Sequence, residues 1–112
     1  MIKRVALSNG RQWRTQGQAL QHFKDMLSRY STGQSIDAAS DDHNDLQALL
    51  VRYDSVLGPG EETKVGVGIG YFSRQRNVGD KWVTDGFHVH RTDGTSTDFS
   101  YIDAVKVAST SP

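Results

Sequence analysis

The sequence predicts an α+β fold: an antiparallel sheet with two main helices on one face, an N-terminal hairpin and a short C-terminal helix. Three observations predict it. Two stretches in the first half place apolar residues at three- and four-residue steps, and the second half changes to alternation with period two. Turn signals then join the late strands directly to one another, which favours antiparallel pairing with the helices gathered on one side.

The elements follow in order. Asn9-Gly10 is a two-residue turn signal of type I′, because both residues tolerate positive φ, so Ile2 to Ser8 and Arg11 to Arg14 read as a hairpin with Val5, Leu7 and Trp13 on its apolar face. Thr15-Gln16-Gly17-Gln18 has the form of a capping box and opens a helix to about Tyr30. Ala19, Leu20, Phe23, Met26, Leu27 and Tyr30 form its buried stripe. Ser40 or Asp41 caps a second helix through roughly Tyr53, with Asp41, Asp42 and Asp45 near its positive end and Leu46, Leu49, Leu50 and Tyr53 inward. Gly58-Pro59-Gly60 breaks the chain.

From Lys64, Val65, Val67, Ile69 and Tyr71 alternate with Gly66, Gly68, Gly70 and Phe72 as a first strand of the main sheet. A second is expected from about Lys81 to Arg91, and Thr92-Asp93-Gly94 turns into a third, Thr95 to Phe99. Ser100 caps a closing helix containing Tyr101, Ile102, Ala104, Val105 and Val107, and Ser109 to Pro112 read as a frayed end. The expected core is Phe23, Leu27, Leu46, Leu50, Val67, Ile69, Phe87 and Val89.

Composition limits the chemistry. With 112 residues the chain suits a single domain, 1–112, with one core. It has no cysteine, which excludes disulfides, thiolate metal ligands and thiol nucleophiles and fits a reducing, cytoplasmic setting. No stretch has the length of a signal peptide's apolar region or a membrane span, so no membrane partner is expected. Thirteen basic residues balance thirteen acidic ones, so attraction to a polyanion requires a local patch.

Four segments resemble one family in order and spacing: Phe23 to Ile36 (FKDMLSRYSTGQSI), Leu46 to Arg52 (LQALLVR), Lys64 to Ile69 (KVGVGI) and Phe87 to Tyr101 (FHVHRTDGTSTDFSY). The most specific part is Arg91-x-Asp93-Gly94 followed by Asp98-Phe99-Ser100-Tyr101. On these residues the chain resembles the DCL (defective chloroplasts and leaves) family, as a bacterial or phage-type member. That resemblance implies an RNA-related context, since the family includes plant proteins of plastid ribosomal RNA maturation and a C-terminal domain of plant-specific RNA polymerase large subunits. It implies no defined reaction. The motif residues Arg91, Asp93, Gly94, Asp98, Phe99, Ser100 and Tyr101 are expected to be structural.

Candidate sites are weighed against plainer uses. Gly66, Gly68 and Gly70 alternate within an expected strand rather than opening a helix, so they suit close packing better than a phosphate loop. His88 and His90 share one side of a strand, a workable spacing for two metal ligands, but a third from Asp98, Asp85 or His43 is not fixed by the sequence. No activated nucleophile is apparent, so no catalytic residue, metal or cofactor is assigned. Arg74, Arg76, Lys81 and Arg91 lie at strand ends near Tyr71 and Trp82, and basic groups beside aromatics are what single-stranded nucleic acid requires. The expected function is a non-catalytic binding module for single-stranded or structured RNA, or for a protein of an RNA-processing assembly. The rivals are an accessory protein-interaction domain without nucleic-acid contact and a histidine-based metal-dependent enzyme.

Overall fold

The computed structural model describes residues 4–7, 9–55, 63–81 and 83–110. The expected break at Gly58-Pro59-Gly60 lies outside these residues. The hairpin forms from β1 (Arg4–Ala6) and β2 (Gln12–Trp13), with Val5 opposite Trp13. Its turn is not type I′: no described residue other than glycine has positive φ, and Gly10 alone stands at +91°. Asn9 contributes through its side chain, whose Oδ1 accepts the Arg11 N–H at 3.1 Å.

Helix α1 (Gln16–Ser28) begins as its sequence dictates. Thr15 Oγ1 accepts the Gln18 N–H at 3.1 Å, while Gln18 Oε1 reaches back to the Arg14 N–H, one residue earlier than the reciprocal bond of an ordinary capping box. Ala19, Phe23 and Met26 are its buried stripe. A short strand absent from the sequence reading follows, β3 (Ser35–Ile36), which buries Ile36. Helix α2 (Asp41–Asp54) is capped by Ser40, whose hydroxyl accepts the His43 N–H at 3.1 Å, and buries Leu46, Leu49 and Leu50.

Strands β4 (Ile69–Val78), β5 (Val83–Arg91) and β6 (Ser96–Phe99) complete a four-stranded antiparallel sheet in the order β3-β4-β5-β6. Helix α3 (Tyr101–Ala108) packs on α1 and α2, and β7 (Ser109–Thr110) pairs with β1. The end expected to fray therefore closes a second, three-stranded sheet in the order β2-β1-β7.

The first strand of the main sheet begins at Ile69 rather than Lys64. Asp54 accepts the Lys64 and Val65 N–H groups at 3.0 and 2.9 Å, and Gly66 and Gly68 adopt φ of +55° and +135°, outside the β region. The glycines thus release the chain into a turn, and Val67 is 67% exposed instead of belonging to the core. Of the other expected core residues, Phe23, Leu46, Leu50, Phe87 and Val89 are fully buried, and Leu27 and Ile69 lie against the core partly covered.

Candidate functional site

Strand alternation gives the four-stranded sheet two unlike faces. Phe72, Phe87, Val89 and Phe99 turn toward the helices and are buried. The opposite parity puts Tyr71, Ser73, Gln75 and Asn77 of β4, Gly86, His88 and His90 of β5, and Asp98 of β6 on the other face. The register places Tyr71 beside His90, Ser73 beside His88, and His88 beside Asp98.

Among the described residues this outer face is a connected polar surface with one aromatic platform. The rings of Tyr71 and His90 stack in parallel, 4.2 Å between centroids and 3° between planes, with Tyr71 41% exposed. His90 Nε2 meets the Ser73 hydroxyl at 2.7 Å, and Gln75 Nε2 donates to that hydroxyl at 2.9 Å. Asn77 Oδ1 accepts from His88 Nε2 at 2.7 Å, so the neutral ring carries its proton on Nε2 and keeps Nδ1 as its basic nitrogen. Gly86 leaves room for the Asn77 side chain, since a Cβ there would stand 3.1 Å from its amide nitrogen.

Both imidazoles are held below the usual histidine range. Burial is the main cause for each; at His88 the neighbouring His90 and Lys64 add to it, while Asp98 opposes it. They are neutral at pH 7. The Ser73–His90 pair has the spacing of a nucleophile and a base, yet Ser73 is only 1% exposed, so its hydroxyl offers no approach to a substrate. Among the described residues no three His, Cys, Asp or Glu side chains gather as a metal site.

The residues expected to contact phosphate are distributed differently from the sequence reading. Arg74 is on the helix side: its guanidinium donates to the Leu27 and Tyr30 carbonyls at 3.0 and 2.8 Å and pairs with Asp85 at 2.8 Å. It caps the end of α1 and is not free for phosphate. Arg91 lies over Gly66 and donates to the Lys64 carbonyl at 2.9 Å and the Thr95 hydroxyl at 3.1 Å, so it holds the turn before β4 against the β5–β6 turn. Arg76 reaches Asp85 at 3.4 Å but keeps a side chain 60% exposed. Lys81 is exposed at the far hairpin end, Tyr71 stands on the outer face, and Trp82 lies outside the described residues.

Asp85 gathers these contacts. Its carboxyl is held below the usual range, first by the Thr32 hydroxyl at 2.6 Å and then by Arg74, with desolvation opposing and Arg76 adding a smaller effect.

The motif from Arg91 to Tyr101 builds local structure. Asp93 Oδ1 accepts from the Thr95 N–H and hydroxyl at 3.0 and 2.6 Å, which depresses its carboxyl, and Gly94 takes φ of +88°. Phe99 is buried, Ser100 Oγ accepts the Asp103 N–H at 3.3 Å, and Tyr101 packs edge-on to Phe87. Asp98 is the exception. Its side chain is exposed on the outer face opposite His88, and its main-chain oxygen accepts from Lys64 Nζ at 2.9 Å.

Sequence reasoning also missed a buried carboxylate. Asp45, 2% exposed, receives Asn9 Nδ2 at 3.0 Å and Arg11 Nε at 3.2 Å and meets His22 Nε2 at 3.0 Å, which ties the hairpin to both helices. The only signal was an acidic residue at the inner edge of the α2 stripe, since its partners lie 23 to 36 residues away.

A sheet covered by helices on one side, with a polar reverse face that no described helix covers, defines the class: a small α+β domain. Comparison with known proteins supplies the particular family. Residues 24–105 match the family described as "Protein of unknown function (DUF3223)", and the chain belongs to it. An uncharacterized protein from Rhodospirillum rubrum, solved by solution NMR, is similar in fold, with a TM-score of 0.71 and 27% identity over 89% of this chain and 86% of that one. No curated protein matches. These matches correct the expected DCL membership: the family model that fits is one of unknown function, and the plastid RNA and polymerase context implied by the resemblance is set aside with it. No helix among the described residues is long and apolar enough to cross a membrane.

Proposed function

We propose that this domain is a non-catalytic binding module of the cytoplasm whose bare sheet face receives single-stranded RNA. The observation that carries the reading is the parallel Tyr71–His90 stack on a face that no helix covers among the described residues. An exposed aromatic platform accepts a base by stacking, a contact worth about 1–3 kcal/mol per base. Gln75 and Asn77 beside it supply amide groups for base edges. Lys64, which reaches the Asp98 carbonyl at one end, and Lys81 at the far hairpin end carry positive charge, while Arg76 shares the helix-side parity of Arg74 and pairs with Asp85.

The test is a fluorescence-anisotropy titration of a labelled single-stranded RNA against wild type and Tyr71→Ala, at low and moderate salt. The expected result is binding that weakens with salt and drops roughly fivefold or more in the variant, as loss of about 1–3 kcal/mol of stacking requires. No binding at low salt, or equal binding by both proteins, contradicts the reading.

A second reading is favoured by a different observation. Val78 and Val83 are 71% and 58% exposed, and Val78 borders, with Leu27, Tyr101 and Ile102, a cavity of about 610 Å³ between the β4–β5 hairpin and α3. An accessory domain that docks on another protein would use such a surface. Val78→Asp would weaken that association and leave RNA binding unchanged.

A further inference from the structure

The nucleic-acid reading meets a deficit of charge on its own face. Of the three arginines within β4 and β5, Arg74 and Arg91 are held by main-chain carbonyls and by Asp85 or Thr95, and Arg76 turns to the helix-side face and pairs with Asp85. On the bare face the ionisable groups able to become positive are His88 and His90, with Lys64 beside them. They lie on alternate residues of β5, so their Cα atoms are about 6.6–7 Å apart, close to the spacing of successive phosphates on an extended strand.

We infer, resting on the RNA reading above, that His88 and His90 form a proton-switched phosphate subsite on this face, so that acidification strengthens RNA binding. The groups that face them are defined. His88 meets Asn77 and Ser73 of β4, Asp98 of β6, His90 on its own strand and Lys64 from the turn before β4. His90 meets Tyr71 and Ser73 of β4 and Ser96 of β6. Asp98 is the only carboxylate in that set. It favours the His88 imidazolium and also repels phosphate, so it acts on the switch in two opposed ways.

The sign follows from linkage. Burial, joined at His88 by His90 and Lys64, keeps the free imidazoles neutral near pH 7, whereas a bound phosphate favours their protonated forms. The complex therefore takes up protons, and affinity rises as pH falls through the region below about 6.5. Each imidazolium that contacts phosphate also steepens the salt dependence by about 0.7 in log–log slope.

The experiment uses the full chain and an oligouridylate, whose bases do not titrate in this range. Affinity is measured at pH 7.5 and 5.5 over several salt concentrations, with thermal melts at both pH values to confirm folding. Wild type is expected to bind several-fold more tightly at pH 5.5, with a slope steeper by about 1.4 for two contacts. His88→Gln should lose about half of that steepening, and His88→Gln/His90→Gln should show none. Asp98→Asn should bind more tightly than wild type at pH 7.5 and move the switch to lower pH, a pair of effects that a purely structural Asp98 would not produce. Binding at pH 7.5 with equal affinity and slope at pH 5.5 overturns this inference and leaves the stacking reading standing. Absence of binding at both pH values overturns both.

Discussion

The two faces of the four-stranded sheet share a backbone and differ in almost everything else. Phe72, Phe87, Val89 and Phe99 on one side are sealed against the helices, and the charges on that side, Arg74 and Asp85, are matched to each other and to the end of α1. The other side carries a stacked Tyr71–His90 pair, amides and a second imidazole, joined by hydrogen bonds within the sheet. The difference teaches where to look for function. A residue type says little by itself: the arginines that suggest phosphate hold the fold together, and the histidines that suggest a metal belong to an open polar surface.

Substitutions should break this contrast in order of their burial. Phe87→Ala removes a fully buried ring and is expected to cost about 3–5 kcal/mol in denaturant melts. A near-neutral result would mean that the helix-covered face is not the core. Arg74→Ala removes the charge-assisted contacts to the Leu27 and Tyr30 carbonyls and to Asp85 and should cost about 2–3 kcal/mol, with RNA binding changed little once the protein is folded. Loss of RNA affinity without loss of stability would return Arg74 to the binding surface. Ser100→Ala deletes the cap of α3 and should cost about 1 kcal/mol.

Acid sharpens the contrast from the outer face. His88 and His90 have folded pKa values below the unfolded value of about 6.5, so the unfolded chain binds more protons at mildly acid pH and stability falls as pH drops through and below that value. His88→Gln should flatten this part of a stability–pH curve. Asp85 acts lower on the scale: its folded pKa is depressed, so its contribution is present above the unfolded carboxylate value and is lost as pH falls through the folded one. Tyr71→Ala, at a 41% exposed position, removes the stack on His90 and should cost about 0.5–1.5 kcal/mol.

Much of the fold was legible because it is written in local signals. Thr15, Ser40 and Ser100 each sit at the helix start they indicate, and the parity of Phe87 and Val89 against His88 and His90 separated the two faces of β5. What failed depended on distant partners or on backbone conformation. Val67 looked inward by alternation, but Gly66 and Gly68 carry the chain out of the β region before Ile69. Strand β7 required β1, more than 100 residues earlier, as its partner. In the candidate site, the outward placement of the histidines followed from period two, whereas Tyr71, which alternation places with Val67 and Ile69, is turned outward and Phe72 inward by the register shift between Ile69 and Tyr71. The capture of Arg74 by carbonyls 44 and 47 residues away had no local signature.

The most direct test of the two-face account is a two-dimensional NMR titration of the labelled domain with a single-stranded oligouridylate. The account predicts shifts concentrated on Tyr71, Gln75, Asn77, His88 and His90, with the amides of α1 and α2 and the Arg74 side chain unmoved. Shifts concentrated instead on Val78, Val83 and Ile102, or none at saturating RNA, would contradict it.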